Sequence, residues 1–390
     1  MEKSNYPQYT LPPPEAARIY PNMMRRIMFW GVGVFAIFLR LITFPIRCCY
    51  SKKTNTYLVY EPYGMGDVIA LQPFVLALAK SGSKVIVAIK QEWQEIIPPH
   101  ENITIVPINV SYSKYRNKKQ GLVGTTLQTS RLLRKEAMGA IGLDVRGDVR
   151  SICIMYMTVC RRVESFNRYF TANDCSVPCG SVSVRRAIDR TLLRYELNKL
   201  LLPSFAQEYF SSPTLTHLID PATKCDMIGG AIALVPLAGW NGKEWIPEAW
   251  KGLIYSLKSR GQKLVLVHGP KEREQAVAAI GGNALLGAVD IVEATTVGAW
   301  VNILISARTV ISVNTGPMHI AAALGKPQLV IEGTSRIPLW APANRKAIVI
   351  HHQDGKTIKP IHQIDANAEY SKYAMSLVTS VEVLSQFDRL

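Results

Sequence analysis

No two CxxC pairs occur anywhere in the chain, which excludes the common cysteine zinc sites. The seven Cys, at 48, 49, 153, 160, 175, 179 and 225, are odd in number. Cys175 and Cys179 bracket a Ser-Val-Pro stretch with no His near enough in sequence to complete a metal set. Free thiols in a reducing compartment are the expectation. Acidic residues are also scarce: 29 Asp and Glu face 45 Lys and Arg, for a net charge of +16. That excess calls for an anionic partner such as a phosphorylated lipid, a membrane surface or a nucleotide. The usual nucleic-acid readers are missing, with no zinc-finger spacing, no aromatic RNA-binding signature and no long Lys/Arg block, so nucleic acid is not expected. With 48% hydrophobic and 19% charged residues, disorder is excluded as the main state.

Only one apolar run is long. It covers Ile27 to Ile46, follows Arg25-Arg26, contains Arg40 and nears its end at Pro45. Its length would just span a bilayer, but an Arg at depth is costly. A single span and a helix lying in the interface are both open, ahead of a buried core helix. A polar, Pro-rich arm precedes the run and no small-residue cleavage site follows it, which argues against a cleaved signal peptide.

From Tyr57 short apolar runs alternate with helical stretches. YLVY (57–60), KVIVAI (84–89), ITIVPI (103–108) and ICIMYM (152–157) form one set. After a polar region near 203–228 come AIALVPL (231–237), KLVLVHG (263–269), TVISVN (309–314), QLVIEG (328–333) and AIVIHH (347–352). This βαβ rhythm predicts an α/β protein of two doubly wound domains, with ligands beyond the carboxyl ends of the strands. The expected division is an arm and membrane-associating segment at 1–55, one domain at 56–215 and another at 216–390. A last helix over about 369–387 is free to join either domain.

Four constellations lie at strand ends. Gly64-Met65-Gly66-Asp67 places a carboxylate at a helix start, where the helix dipole keeps it ionised. It suits either a general base or a simple cap. Trp240-Asn241-Gly242-Lys243-Glu244-Trp245 offers an amine to a phosphate. His268-Gly269-Pro270-Lys271-Glu272-Arg273-Glu274 offers carboxylates to a ribose. Asn314-Thr315-Gly316-Pro317-Met318-His319 opens a helix whose free amides suit a diphosphate.

GMGDV, KEW, the HGPKERE loop and NTGPMHIAAALGKP followed by GTSRIPLWAP together resemble glycosyltransferase family 9, over roughly residues 56–385. The resemblance implies a GT-B fold, two Rossmann-like domains facing across a cleft, here preceded by an apolar membrane-associating helix. It implies an inverting transfer of a sugar, heptose from ADP-heptose, to a lipopolysaccharide or other lipid-linked surface glycan. Neither cofactor nor metal is implied. By the same resemblance Asp67 is the base. Lys243 and Glu272, or nearby Glu274, bind the donor, with Asn314, Thr315, Gly316, Pro317, Met318 and His319. Gly66, Asp144, Arg150 and Ser151 serve the acceptor side. The family's usual acid before Thr-Gly is Asn314 here, which opens the alternatives of another donor sugar or a non-catalytic binding protein. The expected location is the cytoplasmic face of a bacterial inner membrane.

Overall fold

The β-branched runs become the central strands of two parallel sheets. A computed structural model describes residues 23–50, 55–108, 122–169, 175–223, 228–354, 358 and 368–390. The chain divides into two compact units between Pro213 and Thr214.

The first unit begins with helices α1 (Met23–Ile42) and α2 (Phe44–Cys49). Strand β1 (Thr56–Glu61) leads to α3 (Met65–Lys80), followed by β2 (Lys84–Ile89), β3 (Ile103–Pro107) and α4 (Leu122–Ala137). Next come β4 (Ile141–Asp144), α5 (Val149–Met157) and β5 (Arg162–Phe166). A small antiparallel pair, β6 (Arg168–Tyr169) and β7 (Cys175–Ser176), precedes β8 (Val184–Arg186) and α6 (Arg194–Lys199). The sheet runs β3-β2-β1-β4-β5-β8, all parallel. Leu58 lies in register between Ile86 and Gly142.

The run ICIMYM, expected as a strand, is instead the body of α5. Two facts decide this. Asp148 caps the helix by accepting from the Arg150 N–H, and the neighbouring strand place is taken by Ile141–Asp144. Both faces of α5 are buried, so no polar residues mark a helical period, and short apolar runs are ambiguous in that case.

The second unit repeats the plan. Strand β9 (Ile232–Val235) precedes α7 (Pro247–Ser259), β10 (Leu264–His268), α8 (Arg273–Ala279) and β11 (Asp290–Glu293). Then follow α9 (Val297–Ser306), β12 (Thr309–Val313), α10 (Gly316–Ala323), β13 (Gln328–Ile331) and β14 (Ala347–Ile350). Its parallel order is β11-β10-β9-β12-β13-β14. Both sheets therefore have the doubly wound order 3-2-1-4-5-6. The expected last helix is two, α11 (Ala368–Ser376) and α12 (Ser380–Phe387), with Thr379 capping the second by accepting from the Glu382 N–H. Met375, Val378 and Val383 from this end join Trp245, Trp250 and the β9 and β10 leucines in one core. Each such fully buried side chain contributes about 1.5–3 kcal/mol.

The N-terminal apolar run adopts neither a span nor a fully buried helix. Among the described residues no helix is long and apolar enough to cross a membrane. One face of α1 lies on the first unit, with Ala36 and Leu39 in its core. Gly33 permits that approach, since a Cβ there would stand 2.5 Å from the Pro178 ring. Arg40, the residue that weakened the spanning reading, donates to the carbonyls of Gly180 and Val182, each at 2.9 Å. Buried Arg47 donates to the Arg161 and Arg40 carbonyls.

Candidate functional site at two strand-order reversals

In a sheet of this order the connections after the first and fourth strands diverge to opposite faces and leave a crevice. In the first unit those strands are β1 and β4, and both following loops send side chains to one point. Asp67, in the first turn of α3, accepts from the Gly64 N–H at 3.1 Å through Oδ2. Its Oδ1 accepts from Arg146 at 2.6 Å. The cap and the site carboxylate, alternatives in the sequence, are thus the same group using different oxygens. Arg146 comes from the loop after β4 and also reaches both oxygens of Glu61, the last residue of β1, at 3.2 and 3.3 Å. Arg194 of α6 donates to Glu61 from the other side at 3.3 Å. Two carboxylates and two guanidiniums form a balanced cluster at the carboxyl edge of the sheet.

Burial sets the electrostatics. It raises the Glu61 carboxyl to about 7, against the pull of Arg146 and Arg194. Burial would raise Asp67 too, but the close Arg146 guanidinium outweighs it and holds Asp67 below the usual carboxylate range. Asp67 is therefore the more readily ionised of the two, and its side chain is also the more exposed, at 14% against 0%.

The Asp144–Ser151 segment builds the opposite wall. Asp144 is fully buried and accepts from the backbone N–H groups of Arg146 and Asp148 and from the Ser165 hydroxyl. It shapes the turn from beneath rather than facing a ligand. The turn also requires Gly147, whose φ is +71° and whose added Cβ would collide with the Arg168 carbonyl oxygen. Asp148 and Arg150 form an ion pair at 2.8 Å. The Tyr63 hydroxyl donates to Asp148 at 2.6 Å and accepts from Arg150 at 2.7 Å, and Arg150 also donates to Tyr169 at 2.9 Å. Arg150, one-third exposed, is the cation this wall presents. Ser151 is buried in α5, its hydroxyl without a partner among the described residues. Gly66 lies in the first turn of α3 beside Asp67.

The second unit has the same crevice between β9 and β12. Lys243, on the loop after β9, donates to the side-chain amide oxygen Oδ1 of Asn314 at 3.2 Å. Asn314 follows β12 and donates from its side-chain Nδ2 to the Trp340 carbonyl at 3.1 Å. The Lys243 loop is anchored by Trp245, whose indole N–H donates to the Val378 carbonyl at 2.8 Å. Thr315 precedes α10, which starts at Gly316 with Pro317 in its first turn. Met318 is wholly buried, and Pro317 has no N–H to give. What this turn offers an anion is therefore the backbone amides of Gly316, Met318 and His319. The half-buried His319 side chain stands one position further on. Glu272 turns back at the start of α8, accepting from the Gly269 N–H at 2.9 Å, while Glu274 is exposed.

The sequence reading found Asp67, Lys243 and Asn314 but missed the partners of Asp67. Arg146 lay unremarked inside the Asp144–Ser151 run. Glu61 did leave a signal, because a charged residue ending a buried strand needs a counter-ion. Arg194, far along the chain, left none. Among the described residues no group of three His, Cys, Asp or Glu is placed to hold a metal ion.

Comparisons with known proteins agree with this architecture. The family model of glycosyltransferase family 9 (heptosyltransferase) matches residues 141–368, more than half of the chain. Lipopolysaccharide heptosyltransferase 3 of Escherichia coli is 26% identical over 167 residues, which cover 41% of this chain and 46% of that protein. Lipopolysaccharide heptosyltransferase 1 of E. coli K12 is 33% identical over 94 residues, 24% of this chain and 28% of that protein. The chain thus spans less than half the length of the curated relatives it matches. The structure of E. coli heptosyltransferase WaaC with ADP is similar at a TM-score of 0.59 and 17% identity, covering 86% of this chain and 99% of that one. That of E. coli ADP-heptose lps heptosyltransferase II gives 0.60 and 17%, covering 86% and 98%. Identities this low speak for the fold alone. The family match starts at β4, so Asp67 lies outside it while Arg146, Lys243 and the Asn314 turn lie within. On the strength of that match the chain belongs to glycosyltransferase family 9.

Proposed function

We propose that the protein is an inverting glycosyltransferase that moves a sugar, heptose from ADP-heptose, onto a lipopolysaccharide or other lipid-linked surface glycan at the cytoplasmic face of a bacterial inner membrane. The observation that carries this reading is the pairing at the two strand-order reversals, Asp67 with Arg146 and Lys243 with Asn314. One crevice presents an ionised carboxylate, and the other a cation beside the N-terminus of α10. These are the groups a single displacement at an anomeric carbon needs. The titles of two solved relatives support the donor class: E. coli WaaC is described with ADP and with ADP-2-deoxy-2-fluoro heptose. In this reading the two units work in the GT-B manner on one donor–acceptor pair.

Asp67 takes the proton of the acceptor hydroxyl as its oxygen attacks. Held below the ordinary carboxylate range by Arg146, Asp67 is a weak base, so the proton moves late, when the forming bond has made the hydroxyl acidic. Negative charge gathers on the departing diphosphate. Lys243 and the amides of Gly316, Met318 and His319 stabilise it there more than in the ground state. Arg150 meets an anionic group of the acceptor. Glu272 holds the donor ribose.

Lys243→Ala is the direct test of the donor site. Losing a charge-assisted bond should weaken ADP binding about 10- to 100-fold and leave adenosine binding nearly unchanged, as read by calorimetry. Equal weakening of both would remove Lys243 from phosphate recognition.

A second reading, transfer of a sugar other than heptose, is favoured by Asn314, which replaces the family's usual acid. Its amide N–H satisfies the Trp340 carbonyl, which a carboxylate could not do. Asn314→Asp would convert the Lys243 contact to an ion pair and set a carboxylate oxygen against that carbonyl. The expected result is a folded enzyme whose relative turnover among nucleotide sugars shifts by about tenfold. An unaltered donor profile would dismiss Asn314 as a determinant of sugar choice.

A further inference from the structure

We infer that the outward face of α1, continued by α2, docks flat on an anionic lipid bilayer and holds the acceptor crevice at the lipid surface. Among the described residues the face stands apart in its apolar exposure. Between Ile27 and Ile46 large apolar side chains turn to solvent one after another, with Trp30, Phe35 and Phe38 exposed by 64, 49 and 53%. A patch of this kind on a folded protein marks a binding surface. The opposite face of α1 is fixed by the buried Ala36 and Leu39, by Gly33 against Pro178 and by the Arg40 bonds to Gly180 and Val182. The helix therefore cannot turn its apolar side inward without breaking those contacts. Since no helix among the described residues is fit to cross a membrane, the depth reached is that of a helix lying in the interface.

Charge selects lipid over a second copy of the chain. The rim of the face is basic. Arg26 is exposed at the start of α1, Arg168 is exposed next to the Tyr169 that stacks on Phe29, and Arg185 bonds the Cys179 sulfur beside Gly180. Two such rims brought together would repel within a chain of net charge +16, whereas anionic headgroups neutralise them. Trp30, with an apolar ring and one N–H, suits the boundary between headgroups and acyl chains.

Docking would also orient the site. Phe29 and Tyr169 stack with centroids 5.3 Å apart and planes 3° from parallel. The Tyr169 hydroxyl accepts from Arg150, and Arg150 also donates to the Tyr63 hydroxyl. The acceptor-side cation is thus one aromatic ring from the docking helix. A glycan that stays attached to its lipid would meet Arg150 without leaving the surface. This last step rests on the acceptor assignment made above, whereas the docking does not.

The test is co-sedimentation of the full chain with phosphatidylcholine vesicles, with and without phosphatidylglycerol. Wild type should bind the anionic vesicles, and Phe35→Glu with Phe38→Glu should lower that partition by about tenfold or more. The melting temperature should hold, because both side chains are exposed. Undiminished vesicle binding by the double variant would overturn the proposal. So would a wild-type dimer, seen by sedimentation velocity, that the double variant dissolves while neither protein binds vesicles. Failure of the sugar-transfer reading would show instead as missing ADP binding, with vesicle binding intact.

Discussion

Asp67→Asn should lower sugar transfer by a factor on the order of 10²–10⁴, the usual scale for losing a general base. The substitution is nearly isosteric, and an Asn oxygen can still accept from the Gly64 N–H, so the cap on α3 survives. The Arg146 contact changes more, because a neutral amide replaces the carboxylate at 2.6 Å. Glu61 stays with Arg146, so folding persists with some loss of stability. ADP affinity should be unchanged, since the proposed donor groups lie on the second unit. The pH profile gives an independent check. The Asp67 carboxyl lies below the ordinary range, so it remains ionised as the pH falls toward about 5. Wild-type transfer should keep its rate over that interval. A rate limb near neutrality, or full transfer by Asp67→Asn, would leave Asp67 as a helix cap only.

Arg146→Met should be the most damaging change to the fold among the site residues. Met roughly matches the volume, but the change leaves Glu61 with Arg194 and removes the guanidinium that Asp67 accepts from. Removing one partner from a buried ion pair costs about 3–5 kcal/mol, which urea denaturation would register as a lower midpoint. The cost has a definite pH sign. With the guanidinium gone both carboxyls bind protons more tightly in the folded than in the unfolded chain. The linked stability is then present at acid pH and is lost as the pH rises through the folded values. Glu61, at about 7 even in the wild type, sets that window, so the deficit should be larger at pH 8 than at pH 5. Equal deficits at both would mean that the cluster is held by packing and not by charge.

Much of this architecture was legible in the sequence because strands buried on both faces are written as short Val/Ile runs. Nine were read, and eight are strands. The exception, ICIMYM, shows the limit of periodicity, since a helix buried all round carries no polar marker. Strands β4 and β5 escaped because IGLD and RVESF mix polar residues into the run, of which Asp144 and Ser165 support the site turn while Arg162 and Glu164 pair with each other. Asp67, Lys243 and the Asn314 turn were legible because each follows a strand directly. The Arg146 bridge was not, because the strand order that makes β1 and β4 neighbours is a property of the fold. Arg194 is remoter still, its place beside Glu61 depending on how α6 folds back along α3.

The Trp245 bond to the Val378 carbonyl has a practical meaning for handling the protein. It ties the loop bearing Lys243 to the joint between the last two helices, so the chain terminus works as a strut for that loop. A proteolytic nick at the joint, or a fusion that displaces α12, would register first as poor nucleotide retention in a protein whose first unit remains sound.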